Sequence, residues 1–445
     1  DEEADPQWRS RLKNVLDSST ICVGVSVMTG GPIKAALEFS KSIKEVSDVP
    51  VVWGGIHPSF LPEQTLVNEF VDLVVIGEGE QKLVEMVEHL RGGSNLEDIQ
   101  GIGFKRDGAI VITSPEDEFL NMDDFPDPDY DLIDPEFYIN NKREFMYKKS
   151  RVMDLNVDRG CPHRCEFCYN LRFNRRSWRA MSASRVLEII SSNIEKYNVN
   201  AFNFVSDNLF VKKKRVRELC EGIIERGIDI EWHSDMRLDT FNRYDDDLLR
   251  LIKKSGCSAL TFGVESGSAR ILDMIHKDIS VEQVLQANEK AKRLGFEVKY
   301  HFMMGFPGET RADLVDTMRL IRTLTSDNKT AIFGPSIYVP YPGTPLYDKC
   351  IEMGFRPPQS LEEWTSYQWG DESKLPWLAK THGTYLKEAQ MISAHSSYQN
   401  AINKNIVSIA YKNYCRLRLV GLIHGVRLFD LDNRIIRKFK PALAN

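Results

Sequence analysis

Three cysteines stand close together in Asp158-Arg-Gly-Cys161-Pro-His-Arg-Cys165-Glu-Phe-Cys168-Tyr169, at the spacing Cys-x3-Cys-x2-Cys. They follow the apolar run 152–157, which reads as a strand. Three thiolates on one tight loop can hold three corners of a cubic iron–sulfur cluster and leave the fourth iron without a protein ligand, an open position for chemistry. A structural zinc site wants four ligands, and no second Cys-x2-Cys or His-x3-His pair follows. His163 is the nearby candidate for a fourth ligand, and it would have to fold back on its own neighbours. A disulfide framework fits poorly with eight Cys in 445 residues and no apolar leader. Cys22, Cys220, Cys257, Cys350 and Cys415 lie singly in apolar or helical stretches and read as small core residues.

The loop has to be held by a scaffold, and the length allows about three domains. Residues 20–110 alternate short apolar runs with amphipathic patterns. Strands are expected at 21–27, 49–53 and 73–76, and helices at 32–46, 64–70 and 80–90. This is the rhythm of parallel strands joined by right-handed crossovers, an open Rossmann-like α/β sheet. Asp107-Gly108 between two further apolar runs predicts an added hairpin. The Asp-, Pro- and Tyr-rich stretch 113–150 reads as a linker.

A second series begins at 152. Strands are expected at 152–157, 201–205, 229–233, 259–264, 297–303 and 332–338, with helices at 183–196, 212–226, 244–255, 280–294 and 310–325. Six such repeats predict a partial (β/α)6 barrel, whose functional groups gather at the C-terminal ends of the strands. The expected organisation is therefore a sheet domain over 1–112, a linker over 113–150, a barrel over 151–345 and a mainly helical region over 346–445.

The cysteine loop resembles the cluster loop of radical S-adenosylmethionine (SAM) enzymes, in which an aromatic residue, here Phe167, precedes the last cysteine. The resemblance implies that SAM chelates the open iron of a [4Fe–4S] cluster through its amino and carboxylate groups, with Phe167 near its adenine. One electron then cleaves the sulfonium to a 5′-deoxyadenosyl radical. It extends through the later strand ends: Ser206-Asp207-Asn208, Ser234-Asp-Met-Arg237-Leu-Asp239, Gly263-Val-Glu265-Ser-Gly267-Ser268, and Gly305-Phe-Pro307-Gly308-Glu309-Thr310. By that likeness Asp207, Ser234, Arg237 and Ser268 border SAM, Glu265 accepts its ribose hydroxyls, and Lys277 meets its carboxylate. His301 stands where related oxidases carry a ribose-binding Asp, so it is expected to contact the ribose or line the substrate pocket. Thr310 or Glu309 is expected to cap the next helix.

A Rossmann-like domain ahead of such a barrel, with Val51-Val-Trp-Gly54-Gly55-Ile-His57-Pro58 and Val75-Ile-Gly77-Glu78-Gly79-Glu80, resembles the cobalamin-binding radical SAM enzymes. That family holds class B methyltransferases and the anaerobic magnesium-protoporphyrin ester cyclases. Ser26, Thr29, Gly54, Gly55 and Gly77 fall at strand ends, where ligands of open α/β sheets sit, and are expected beside a corrin. The Asp-x-His-x-x-Gly motif that supplies a cobalt ligand in methionine synthase is absent. The expectation is an N-terminally truncated domain whose first strands lie upstream of Asp1, with the motif either lost with them or, as the resemblance to radical SAM relatives allows, never used.

The resemblance implies methylation of an unactivated carbon or phosphorus centre, with radical oxidation or ring closure as the alternative. A non-catalytic cluster- or corrin-binding sensor would instead leave SAM intact. Expected partners are a small-molecule or lipid-like substrate and an electron donor such as flavodoxin or ferredoxin. A net charge of −6 gives no basic field for nucleic acid. No apolar run approaches the ~18 residues of a membrane span, so a cytoplasmic protein is expected. Residues 404–440 carry nine Lys and Arg against Asp430 and Asp432, interleaved with apolar residues. That pattern suits either a peripheral contact with anionic lipid or the solvated face of a packing helix.

Overall fold

The computed structural model describes residues 5–115, 118–140, 149–328, 330–367, 375–378, 380–396 and 406–425. They divide into two compact units, Asp1–Asn121 with Pro340–Asp371, and Met122–Val339 with Glu372–Asn445.

The first unit is built on a five-stranded sheet of β1 (Val23–Ser26), β2 (Val51–Gly54), β3 (Leu73–Val75), β4 (Ile102–Arg106) and β5 (Ala109–Ile112), paired in that order. β1 to β3 are parallel and β4 to β5 antiparallel, so the hairpin extends the sheet. Val51, Val52, Trp53 and Val74 are fully buried, as expected for central parallel strands covered on both faces. The helix expected over 64–70 is Pro62–Val67, started by Pro62 at its first position, and a further short helix, Ile56–Phe60, precedes it.

Pro340–Asp371 falls in this unit rather than opening a separate helical region after 345. The Trp364 indole donates to Gln64 Oε1 at 2.7 Å, Gln64 to the Pro358 carbonyl at 3.1 Å, and Asn68 to Glu362 at 2.8 Å. Gly343 has φ +78°, and a Cβ there would stand 2.2 Å from the Phe60 ring.

In the second unit six parallel strands follow the order β6 (Val152–Leu155), β9 (Ala201–Phe204), β10 (Glu231–Asp235), β11 (Cys257–Glu265), β12 (Glu297–Met304) and β13 (Ile332–Ile337). A two-stranded ribbon of β7 (Asp158–Arg159) and β8 (Arg179–Ala180) lies between β6 and β9 in sequence. β6 and β13 are sheet edges, so the barrel is open, as the six repeats predict. Side chains of one face (Phe202, Phe204, Trp232, Leu260, Phe262, Tyr300, Phe302) are buried with apolar residues of the crossover helices, among them Val186, Ile190, Leu219 and Ile252. Ser182, Asp245, Ser280 and Thr310 each cap a crossover helix by accepting a backbone N–H two or three residues inside it. β10 lies two residues later than the expected 229–233.

The stretch expected to be a linker does not run free. Met122 and Ile139 are buried in the second unit's core, and Asp123, Asp127 and Glu136 bond Ser182, Arg185 and Arg151. The basic stretch 404–440 lies mostly outside the described residues. Within it, Arg418 donates to the fully buried Glu388 at 2.8 Å and is itself buried, so that guanidinium is turned into the protein and away from any lipid. No helix among the described residues is long and apolar enough to cross a membrane.

Because breaking a buried ion pair strands a charge, Glu388→Ala should lower unfolding stability by about 3–5 kcal/mol, whereas Glu388→Leu combined with Arg418→Met should cost much less. Urea unfolding of the three chains checks this; equal losses in both variants would show that the cost is one of packing.

Candidate active site

The cysteine loop leaves the sheet at Asp158 and turns at Gly160, whose φ is +82° and where a Cβ would stand 1.8 Å from the Ser177 carbonyl oxygen. Only glycine fits that turn. Asp207, at the exit of β9, anchors it: its carboxylate accepts the Gly160 amide at 2.6 Å, the Tyr169 hydroxyl at 2.7 Å and the Asn170 amide at 2.9 Å. Asp158 is fully buried and accepts the Asn208 amide at 2.9 Å, and burial lifts its carboxyl to about 6.

Two donors reach the sulfurs from outside the motif. Asn208 Nδ2 lies 3.5 Å from Cys161 Sγ and Arg237 Nη1 lies 3.6 Å from Cys165 Sγ. The surrounding protein pushes the Cys168 thiol up to about 12 and Cys161 upward as well, so metal loading must release protons. Among the described residues no three His, Cys, Asp or Glu converge on a single ion. His163 stays outside any such group, and burial holds its imidazole down at about 4. Three soft sulfurs on one loop, with N–H groups aimed at two of them, fit a thiolate-bound cluster.

The second half of the site is the turn Ile275-His-Lys-Asp278 with the end of β11. Lys277 Nζ lies 2.6 Å from Glu265 Oε1, both side chains being buried. Gly263 makes room for this pair, since a Cβ there would stand 2.5 Å from Glu265 Oε1 and 2.9 Å from Lys277 Nζ. Glu265, His276 and Asp278 all have positive φ, at 70°, 49° and 55°. Such strain at three non-glycine residues persists only where surrounding bonds over-determine it.

Those bonds tie the turn to the cysteine loop. Arg164 grips Asp278 with two bonds at 3.0 and 2.8 Å, the Glu166 amide donates to the Ile275 carbonyl at 3.0 Å, and Glu166 meets His276 at 3.0 Å. Arg237 completes the seam, with Nη2 on the Lys277 carbonyl at 2.8 Å and Nε on Asp239 at 2.9 Å. Phe167 lies with its ring 5.7 Å from Lys277 Nζ and 6.4 Å from the Phe306 ring.

The remaining expected residues divide. Ser268 caps the helix Ala269–Met274 and donates to Asp313 at 2.5 Å. Ser234 is buried between Phe204 and Leu260 in register, on the sheet face turned toward the helices. Asp235, one residue on, shares the opposite face with Asn203, His233 and Thr261. Along that face Asp154 accepts from Asn203 at 2.7 Å, Asn203 meets His233 at 3.0 Å, and His233 meets Thr261 at 2.7 Å. His301 stands against Gly334, where a Cβ would come within 3.2 Å of its ring, and burial lowers its pKa. Asp154 and Asp235 are exposed, and Val205 is 50% exposed, although all three belong to a parallel sheet or its exit. Barrels of this type fill their interior with branched apolar side chains; here it is polar and open to a ligand. Asn203, His233, Asp235 and Lys299 escaped the sequence reading, although strict alternation along β9, β10 and β12 would have placed them inside.

In the first unit Ser26, Gly54 and Gly77 lie at or just past the C-terminal ends of β1, β2 and β3, with Thr29 and Gly55 beside them. Thr29 Oγ1 is 3.2 Å from His57 Nδ1. Gly55 (φ +95°) must be glycine, because a Cβ would meet the Val27 carbonyl oxygen at 2.9 Å. At Gly54 the nearest atom to a Cβ is the Val75 Cβ, 3.9 Å away, an ordinary van der Waals contact. His57 is fully buried with its ring 5.5 Å from that of Trp364, its Nε2 has no hydrogen-bond partner among the described residues, and burial lowers it to about 4.

Thr310 is the cap expected after β12, in a capping box with Asp313, whereas Glu309 turns back to accept the Gly305 amide. Burial lifts the Glu309 carboxyl from 4.5 to about 8. The folded state thus holds that proton more tightly than the unfolded chain, and stability should fall as pH rises from 4.5 through about 8. Glu309→Gln should flatten this slope and gain stability over the parent by a few kcal/mol at about pH 9 but not at about pH 5. Urea midpoints of both chains at the two pH values check it; parallel curves would show that Glu309 does not carry the slope.

The chain matches the family model of the radical SAM superfamily over residues 155–321 and that of the B12 binding domain over residues 7–87. It is 35% identical over 333 residues to the uncharacterized methyltransferase PH0819 of Pyrococcus horikoshii, covering 74% of this chain and 69% of that protein. It is 28% identical over 334 residues to the anaerobic magnesium-protoporphyrin IX monomethyl ester cyclase of Rubrivivax gelatinosus, covering 74% of this chain and 58% of the cyclase. Its fold superposes with a TM-score of 0.71 and 17% identity on the cobalamin-dependent SAM radical enzyme OxsB, solved with aqua-cobalamin and SAM, over 99% of this chain and 70% of that one.

Proposed function

The chain belongs to the radical SAM enzymes that carry a B12-binding domain, and we propose that it methylates an unactivated carbon or phosphorus centre. The observation that carries this reading is the seam joining the three-cysteine loop to the turn of Lys277 and the end of β11 at Glu265, in a chain that also bears a B12-binding domain. When bound, a [4Fe–4S] cluster would supply the electron for reductive cleavage of one SAM, and cobalamin would relay to the substrate a methyl group taken from a second SAM.

Cys161, Cys165 and Cys168 would hold the cluster. Lys277 presents an ammonium to the SAM carboxylate and Glu265 a carboxylate to the ribose hydroxyls. Their mutual bond neutralises both charges and fixes both side chains before the ligand arrives, a pre-organised site. Phe167 offers its ring to the adenine. Asp207 and Ser268 serve by holding the loop and the helix behind it. Arg237 and the seam keep the two halves in register. Ser26, Thr29, Gly54, Gly55 and Gly77 would let a corrin lie against backbone at the C-terminal ends of β1 to β3. His301 and the interior of Asp154, Asn203, His233, Asp235 and Lys299 take the substrate's polar groups and orient it. A small flavoprotein or ferredoxin, such as a flavodoxin, is the proposed electron donor, and the cytoplasm the proposed location.

The chain's similarity to the magnesium-protoporphyrin ester cyclase favours a second outcome, radical oxidation or ring closure without methyl transfer. Anaerobic incubation of the reconstituted chain with cobalamin, reductant and methyl-labelled SAM separates the readings. Both require 5′-deoxyadenosine, and methylation alone leaves label in the product. Cys161→Ala should lower iron well below the about four per chain of a full cluster and abolish 5′-deoxyadenosine. A fully loaded cluster that leaves SAM intact would defeat both readings.

A further inference from the structure

Cys161 and Cys165 each receive a hydrogen bond from a buried or pinned side chain outside the cysteine motif. Asn208 is buried, its main chain is held by its amide on Asp158 and by its carbonyl accepting the Trp178 indole at 2.9 Å, and its side-chain amide lies 3.5 Å from Cys161 Sγ. Arg237 is a planar fork pinned on two sides, by Asp239 at 2.9 Å and the Lys277 carbonyl at 2.8 Å. Its remaining nitrogen, Nη1, is thereby aimed at Cys165 Sγ, 3.6 Å away. With three thiolate ligands, a cluster gains negative charge on reduction, and N–H donors on the sulfurs stabilise that added charge. Hydrogen bonds to sulfur and local charge are among the terms that set cluster potentials.

We infer that Asn208 and Arg237 are positioning residues that raise the reduction potential of the cluster, acting through Cys161 and Cys165, and that Arg237 couples this setting to the turn carrying Lys277. The inference rests on the reading that the three cysteines hold a [4Fe–4S] cluster. It assigns Arg237 to the cluster's sulfur rather than to SAM. A SAM carboxylate drawn to Lys277 would bear on the backbone carbonyl that Arg237 grips, and so on the donor that faces Cys165.

The test is a mediated redox titration of the reconstituted full chain, followed by the electron paramagnetic resonance of the reduced cluster, with and without SAM. Asn208→Ala and Arg237→Met should each leave about tenfold less cluster reduced at a fixed potential, a shift of about 59 mV for a one-electron couple. Arg237→Lys, which keeps the charge, should recover part of the Arg237→Met loss. Each variant should also lose an exchangeable proton coupling seen by electron–nuclear double resonance after transfer to deuterated buffer. A merely structural role would lower cluster content or SAM affinity and leave the midpoint of the loaded fraction unmoved. Unchanged midpoints and couplings in both variants would overturn the inference while leaving the proposed function intact. If Arg237→Met takes up no cluster, the Asn208→Ala midpoint decides. A parent chain that takes up no iron removes the cluster reading and this inference together.

Discussion

A lysine ammonium and a glutamate carboxylate, 2.6 Å apart and almost without solvent, hold this site in the form it has. Burying either charge alone would cost several kcal/mol, so each depends on the other being in place. That requirement reaches outward. Glu265 takes φ 70° to turn its side chain, and His276 and Asp278 take φ 49° and 55° to bring Lys277 across. Three strained residues need a rigid frame, and the cysteine loop supplies it through Arg164, Glu166 and Arg237. Conversely, the loop's cysteines are placed by the turn they brace. The site's two halves are one mechanical object, although 114 residues of sequence separate Arg164 from Asp278.

The barrel that carries this object is unusual on its inner face. Parallel strands are ordinarily apolar on both faces, and here one face follows that rule while the other lines up Asp154, Asn203, His233 and Thr261 in hydrogen-bonded sequence. A polar chain of this kind is tolerable because each group satisfies its neighbour and because the interior stays open to solvent. The stability of the unit therefore rests on the outer layer, where Trp232, Phe262, Tyr300 and their neighbours meet the helices. The division leaves the inner face available for ligand recognition.

Much of this was legible in the chain itself. The cysteine spacing, the Gly-Val-Glu-Ser-Gly run at the end of β11 and the alternation of apolar runs with helical periods point to both sheets, their parallel strands and the crossover helices of the barrel, though not to the short helices at Trp8–Val15, Pro135–Ile139, Leu238–Arg243 and Ala269–Met274 or the ribbon of β7 and β8. Local patterns suffice there because strand and helix periods, caps and tight glycine turns are properties of a few neighbouring residues. Single-residue roles were less readable. Ser234, expected beside SAM, lies on the helix side of the sheet while its neighbour Asp235 faces inward, because consecutive strand residues point to opposite faces and only the paired register shows which face is which. Asp207 and Arg237 were recognised as important by their positions, but their partners, Gly160, Tyr169, Lys277 and Cys165, were not.

Contacts between distant segments were beyond any local pattern. The return of Trp364 to Gln64, 300 residues earlier, is settled by packing and one indole hydrogen bond, and no periodicity announces it. The same holds for Arg418, which reads as one cation among nine until Glu388 is found beside it. The sequence by itself determined the donor set and the order of the elements, because those depend on residue type and spacing along the chain. Tertiary structure alone decided which charges neutralise each other and which donors face the sulfurs, because such bonds form only when crossovers bring separate strand ends within about 3 Å of one another.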